Sequence, residues 1–413
     1  MKQFKYKIFY LPPPLSSIDT LTDWQSDELP LFEHTTDINE VLSQPYRIAA
    51  VPAMFNVPDS FAYNETLVNI DWSKFDLVIV SEIETIPIDE IKQRCLEPAG
   101  ITNYLLALGT FQYDLDYKNI IYRPWWMFRH LALNASKKFN HEEVYNKPFL
   151  FEALLGQARP HRHYVMSRFQ KNRDLLDHSI VMYREFFGGS TYEHCERPEL
   201  TREIKKVLDG DPALYPYESP NLKPEWEVVS PYGLELGRGI SEITPWEIYN
   251  QTYYSVLCET NWYNPKFYEE NEKMDIPGPF FITEKMAKVI LGRRLFIMFG
   301  PMHILRFFRE QGFKTFSSII DESYDDCRDI PERFRRAFDQ VEYLATLDSR
   351  EVLKATEEVR EHNFKHLYNY RNIKKNRMHE MILDTVPDEH LYIDLDISLP
   401  ELDPDELIRS RWS

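Results

Sequence analysis

The sequence predicts an α/β protein of two domains, each built on a mostly parallel sheet. Three observations carry this. The chain has 413 residues, more than one ordinary core organises. Short apolar runs, each closed by proline, glycine or an acidic residue, recur through it and alternate with helical or loop stretches. Near its centre, Thr283–Leu291 and Leu295–Phe299 read as a capped helix feeding a continuous apolar strand, the pattern of a strand covered on both faces. The expected division is an N-terminal domain over residues 1–145, a second over 146–370 and an acidic tail over 371–413.

In the first part, strands are expected at Lys5–Leu11, Tyr46–Val51, Phe75–Val80 and Asn103–Leu108, with a helix at Asp89–Cys95. Ligands of parallel α/β sheets lie at the carboxyl ends of strands. That places Glu82, Glu84, Asp114 and Asp116 among the carboxylates to watch, although most loop acids of this kind are simply solvated. Tyr122–Trp126 is an aromatic cluster with one arginine, suited to stacking on a sugar or to packing at a domain junction. The polar run Asn134–Lys147 reads as a linker.

The second part opens with a strand at Pro148–Leu155, turned by Gly156, and a helix led by Arg159-Pro160-His161-Arg162. Arg159 and Arg162, after a strand and where a helix begins, suit a diphosphate. His161 and His163 form a HxH pair with no third ligand at metal spacing. Ser179–Glu185 reads as a strand, residues from about Gly188 to Ser241 as a long insertion with a short helix near Leu200–Leu208, and Tyr253–Leu257 as a strand. Beyond Gly300-Pro301, helices are expected at His303–Glu310, Pro331–Leu347 and Ser349 to about Asn369. A short strand is expected at Phe313–Phe316 and an acidic loop at Asp321–Asp325.

At the centre, Thr283 is a good N-cap and Gly292 a good stop. A helix N-terminus carrying Lys285 attracts phosphate, and the adjacent carboxylate of Glu284 suits ribose hydroxyls. On those three residues alone the simpler reading is a capped surface helix with a solvated Glu–Lys pair.

Composition narrows the classes. A net charge of -18 argues against broad non-specific binding to nucleic acid. Cys95, Cys195, Cys258 and Cys327 are scattered, which favours reduced thiols over a disulfide framework. No stretch approaches the roughly 20 apolar residues of a membrane span, and Met1–Leu11 lacks the apolar core of a signal peptide, so a cytoplasmic protein is expected. The 25 Tyr, 26 Phe and 8 Trp suit ligand clefts, ordinary cores and a homodimer alike.

Residues of about 147–365 resemble the nucleotide-sugar half of GT-B glycosyltransferases, above all the α1,3-fucosyltransferase-type family and related uncharacterised bacterial and phage proteins. The resemblance runs through Glu259-Thr260-Asn261, Phe281-Ile282-Thr283-Glu284-Lys285 and Phe299-Gly300-Pro301, and for the phage and bacterial group through Gly312–Phe316 and Asp321–Asp325. It implies two Rossmann-like domains facing a cleft and a metal-independent transferase with no cofactor beyond its nucleotide-sugar donor. In that scheme Glu284 holds the donor ribose and Lys285 the diphosphate, with Arg159 or Arg162 also on phosphate and Glu259, Asn261 and Thr283 around the donor. The acceptor is a hydroxyl group, on a glycan in preference to DNA; an inverting reaction needs a carboxylate of the first domain, Glu82 or Glu84, to take its proton, and a retaining reaction does not need it in that place. The gap from Asn261 to Thr283 is long for the fucosyltransferase pattern, and residues 1–145 match no acceptor domain of that family, so fucose and guanosine specificity do not transfer.

Overall fold

In the first unit, strand residues point alternately to two separate cores. Ile8, Tyr10, Ile48, Ala50, Leu77, Ile79, Leu105, Ala107 and Ile121 meet one. Phe9, Ala49, Val51, Val78, Val80, Leu106, Leu108 and Ile120 meet the other. Both faces of the sheet are therefore apolar, which is why its strands read as continuous rather than alternating runs. The structure is a computed structural model, and it describes residues 2–10, 32–53, 70–82, 88–111, 117–135, 146–157, 160–184, 244–260 and 280–393.

The chain divides into two compact units, Met1–Ala132 with Tyr368–Ser413, and Leu133–Leu367. The first holds a six-stranded parallel sheet in the order β3-β2-β4-β5-β6-β7. Its strands are β2 (Ile8–Tyr10), β3 (His34–Thr35), β4 (Ile48–Ala53), β5 (Leu77–Glu82), β6 (Tyr104–Leu108) and β7 (Ile120–Tyr122). Helices α1 (Ile38–Leu42) and α2 (Ile88–Ile91) give Val41, Ile88 and Ile91 to one core. The other core takes Trp125 from α3 (Trp125–Ala135). It also takes Met378, Ile382 and Leu383 from the last turns of a long helix, Ser349–Asp384. That helix, expected to stop near Asn369, continues because no breaker precedes Pro387. It is followed by the strand Leu391–Ile393, which pairs antiparallel with β1 (Lys2–Phe4).

The second unit holds a four-stranded parallel sheet in the order β9-β8-β10-β11. These strands are β8 (Phe149–Gln157), β9 (Ser179–Arg184), β10 (Thr252–Cys258) and β11 (Leu295–Phe299). Between and after them lie α4 (Pro160–Lys171), α5 (Arg173–Asp177), α6 (Trp246–Gln251), α7 (Glu284–Leu291), α8 (Ile304–Glu310), α9 (Ile330–Ala345) and α10, the helix Ser349–Asp384 already described. Tyr164 of α4, Phe299 of β11 and Phe334 of α9 form a buried aromatic triangle, with ring centroids 5.7 to 6.5 Å apart. Both sheets thus share one winding, with the first strand flanked by the second and the third. The chain is α/β throughout, compatible with Rossmann-like units.

Several expectations are corrected. Gly156 lies inside β8 rather than turning it, opposite a register shift at Met182/Tyr183, and glycine suits such a bulge. Phe313–Phe316 forms no strand. Asn363 takes the place of a neighbouring strand there: its Oδ1 accepts from the Lys314 N–H at 2.8 Å and its side-chain amide donates to the Lys314 carbonyl at 2.9 Å. Gly292 ends α7 with an ordinary φ of -75°. A Cβ at this position would lie 2.5 Å from the Tyr249 ring, so close approach is what requires glycine. The insertion with its helix near Leu200–Leu208, and most of the linker, lie outside the described residues.

Candidate functional site

The winding of the second sheet puts its topological switch point at the carboxyl ends of β8 and β10, where connections leave in opposite directions. In open α/β sheets this is where ligands bind. Glu259 follows β10 directly and is fully buried. Its backbone N–H donates to the Phe299 carbonyl of β11 at 3.1 Å, extending the β10–β11 ladder by one residue. Its carbonyl meets Nε2 of His161, in the first turn of α4, at 2.7 Å. This bond joins the two strand ends across the switch point. His161 is fully buried, and the metal reading of the HxH pair gives way to this structural contact; the His163 side chain lies outside the described residues.

The Glu259 carboxylate organises the start of α7. Oε1 accepts the Thr283 backbone N–H at 3.1 Å. Oε2 accepts the Thr283 hydroxyl at 2.8 Å and the Thr260 N–H at 3.0 Å. Thr283 Oγ1 in turn accepts the Lys285 backbone N–H at 3.4 Å, the N-cap bond expected from sequence, and also Lys285 Nζ at 3.1 Å. Lys285 Nζ donates as well to Thr260 Oγ1 at 3.1 Å and to Glu284 Oε1 at 3.0 Å. The Glu284 and Lys285 side chains are only 13% and 22% exposed, so they are not the solvated surface pair that three residues alone suggested.

Burial and charge tune these acids in opposite directions. Burial pushes the Glu259 carboxyl up, against the pull of Lys285 and with the push of Glu284. Burial also works to raise Glu284, but Lys285 and the buried Lys288 outweigh it and hold its carboxyl at about 2. Burial lifts the Cys258 thiol to about 12 against the pull of the Arg162 charge, which brings Arg162 within electrostatic reach of the end of β10.

Glu259, Thr283, Glu284 and Lys285 form one hydrogen-bonded network, and Arg162, itself buried, acts electrostatically on the residue preceding it. Glu82 closes β5 at the carboxyl end of the first sheet, where its backbone pairs with Leu108 and Ala53. Its side chain, and all of Glu84, Asp114, Asp116, Arg159 and Asn261, lie outside the described residues. In the Tyr122–Trp126 cluster, Tyr122, Arg123 and Trp125 are buried, as packing material would be. The acidic loop Asp321–Asp325 supplies caps: Asp325 accepts the Leu305 and Arg306 N–H groups of α8 at 3.0 and 2.9 Å.

A second buried network lies further back along the same strands. Arg294, just before β11, donates to Ser255 Oγ, Thr252 Oγ1 and the carbonyls of Tyr249, Thr252 and Tyr254. Burial lowers its guanidinium to about 10, offset by the fully buried Glu152. Glu152 pairs with Ser255 across the strands, within the core, so this is a structural device.

Among the described residues no cluster of three metal-ligating side chains occurs and no helix is long and apolar enough to cross a membrane. Comparison of the chain with known protein families, curated proteins and solved structures finds no match.

Proposed function

We propose that the carboxyl edge of the second sheet binds a nucleotide-sugar donor and that the chain is a GT-B-type glycosyltransferase. The observation that carries this is the network in which buried Glu259 fixes Thr283, and through it Lys285, at the switch point between β8 and β10. Glycosyl transfer breaks the bond from the anomeric carbon to a diphosphate, and the leaving diphosphate gains charge. Preorganised cations lower that barrier. Lys285, the first turn of α7 and Arg162 are the groups to supply them, in a scheme that assigns no step to a metal. Glu284, held ionised, accepts from ribose hydroxyls. A carboxylate of the first unit, Glu82 or Glu84, takes the proton of the acceptor hydroxyl. Glycan is favoured over hydroxylated DNA as acceptor because the chain carries a net charge of -18.

One observation favours a second reading, a non-catalytic binding protein on the same scaffold: every hydrogen of the Lys285 ammonium already has an acceptor within the protein. A thermal-shift panel of UDP, GDP, CMP, dTDP and their sugar conjugates separates the two. A shift with one nucleotide that disappears in Lys285→Ala, while that variant stays folded, supports the donor site. Absence of any shift at millimolar ligand refutes it and leaves the scaffold reading. For the acceptor, a gel-shift titration against salt that finds no DNA binding removes the DNA alternative.

A further inference from the structure

At the carboxyl edge of the first sheet, Glu82 of β5, Leu108 of β6 and Tyr122 of β7 lie in one register row. Strand spacing puts Tyr122 about 10 Å along that edge from Glu82. This is the ligand-binding side of a parallel sheet. A cation of α10 stands over it: Lys374 Nζ lies 5.4 Å from the centre of the Tyr122 ring and 5.1 Å from that of Tyr370. All three residues belong to the first unit. Both tyrosines are buried, Tyr370 with its ring centroid 5.7 Å from that of Phe128 in α3, so the rings are fixed walls.

The surroundings give Lys374 no countercharge. Among the described residues no carboxylate pairs with it, and the charge acting on it is the repelling one of Arg377. From Tyr368 to His379 the helix carries Arg371, Lys374, Lys375 and Arg377 and no acid, in a chain with 66 acids against 48 lysines and arginines. Lysine heads ordinarily reach water from a covered stem. Here burial lowers the ammonium to about 8, and Arg377 adds to the effect. Aromatic faces attract a cation but leave its charge in place. A partly covered cation is costly without an anion, and the described residues supply none.

We infer that Lys374, between the rings of Tyr122 and Tyr370, is an anion-binding site of the first unit that takes one carboxylate or phosphate group of a ligand. The ligand brings the countercharge that the fold leaves out. One cation in a chain of net charge -18 suits a single anionic group and not a polyanion. The site stands independently of the donor reading given above. Its meaning for catalysis rests on that reading: the acceptor is then an acidic or phosphorylated sugar, held by its charged group at one end of the row that Glu82 shares.

The test follows Lys374 itself by NMR, in the full chain labelled with carbon-13 at lysine Cε. Its signal is assigned by its loss in Lys374→Arg and by its contact with the two tyrosine rings. At pH 8, near the midpoint of this amine, the signal lies between the protonated and neutral positions. Sodium phosphate and sodium acetate are titrated in turn, with ionic strength held constant by chloride. A bound anion stabilises the protonated form, so the Lys374 signal moves saturably towards the protonated position. Its midpoint rises by about one pH unit, a tenfold gain in proton affinity. Lys375, the next residue on the helix, moves by less than about a fifth of that, the response of a lysine exposed only to the ion atmosphere. A response to phosphate alone assigns a phosphoryl ligand and one to acetate a carboxylate ligand, and each supports the site. Equal responses at Lys374 and Lys375, or none at Lys374, overturn it. The unaltered chain carries the measurement, so its outcome does not hang on whether a variant folds. The Lys285 signal, followed with UDP in the same sample, reads the donor site separately, and either reading can fail alone.

Discussion

Glu284 makes a prediction that requires no ligand. Its carboxyl is held at about 2 in the folded protein against an ordinary value of 4.5. Linkage converts that difference into about 3 kcal/mol of stability, at most about 3.4. Because the folded-state value is the lower one, this stabilisation is complete above about pH 4.5 and is lost as the pH falls through about 2. Urea unfolding of the protein and of Glu284→Gln at pH 6, 4.5, 3.5 and 2.5 measures it directly, because the other acids titrate in both proteins and cancel in the difference. The variant is expected to be less stable by about 3 kcal/mol at pH 6 and by under about 1 kcal/mol at pH 2.5. A difference constant across this range would refute the reasoning, since the carboxylate would then gain nothing from Lys285 and Lys288 that an amide does not.

Three further outcomes follow from the packing. Arg294→Met removes a guanidinium that serves five acceptors and leaves Glu152 without its countercharge, so it costs about 3–5 kcal/mol in chemical denaturation, part of which Glu152→Gln restores in the double variant. Gly312 has a φ of +91°, and a Cβ there would lie 2.7 Å from the His366 ring; Gly312→Ala therefore lowers stability by more than the roughly 1 kcal/mol of backbone strain alone, read as a drop in melting temperature. The buried Cys258 thiol, raised to about 12, stays unlabelled by thiol reagents in the folded protein, whereas the partly exposed Cys327 reacts, as peptide mass spectrometry will report.

What sequence could and could not reveal follows from the range of the interactions involved. Strands β4, β5, β6, β10 and β11 were legible because both faces of each are buried, which leaves an unbroken apolar run. The Thr283 cap was legible because a cap is a contact between residues two apart. Glu259 was reached only through a resemblance: its bonds to Thr283 span 24 residues, and its contact with His161 spans 98, distances at which no spacing rule operates. Phe313–Phe316 misled because a short run rich in aromatic and β-branched residues after a glycine reads as a strand even when a side-chain amide, here Asn363, satisfies the backbone. The β1 pairing with Leu391–Ile393 joins residues nearly a chain length apart, and neither short segment carries a strand signal strong enough to find the other.

The division of the chain also bears on its synthesis. A ribosome delivers residues in order, and domains generally fold as they emerge. Leu133–Leu367 is one uninterrupted segment and can close its sheet as soon as it clears the exit tunnel. The sheet of the first unit is made earlier but must wait, since Met378, Ile382, Leu383 and Val386, which cover one of its faces, are translated after the whole of the second unit. While the second unit is being made, that face, lined by Ile48, Leu77, Ile79 and Leu105, remains without its cover and open to chaperones. The unit begun first is therefore the one finished last.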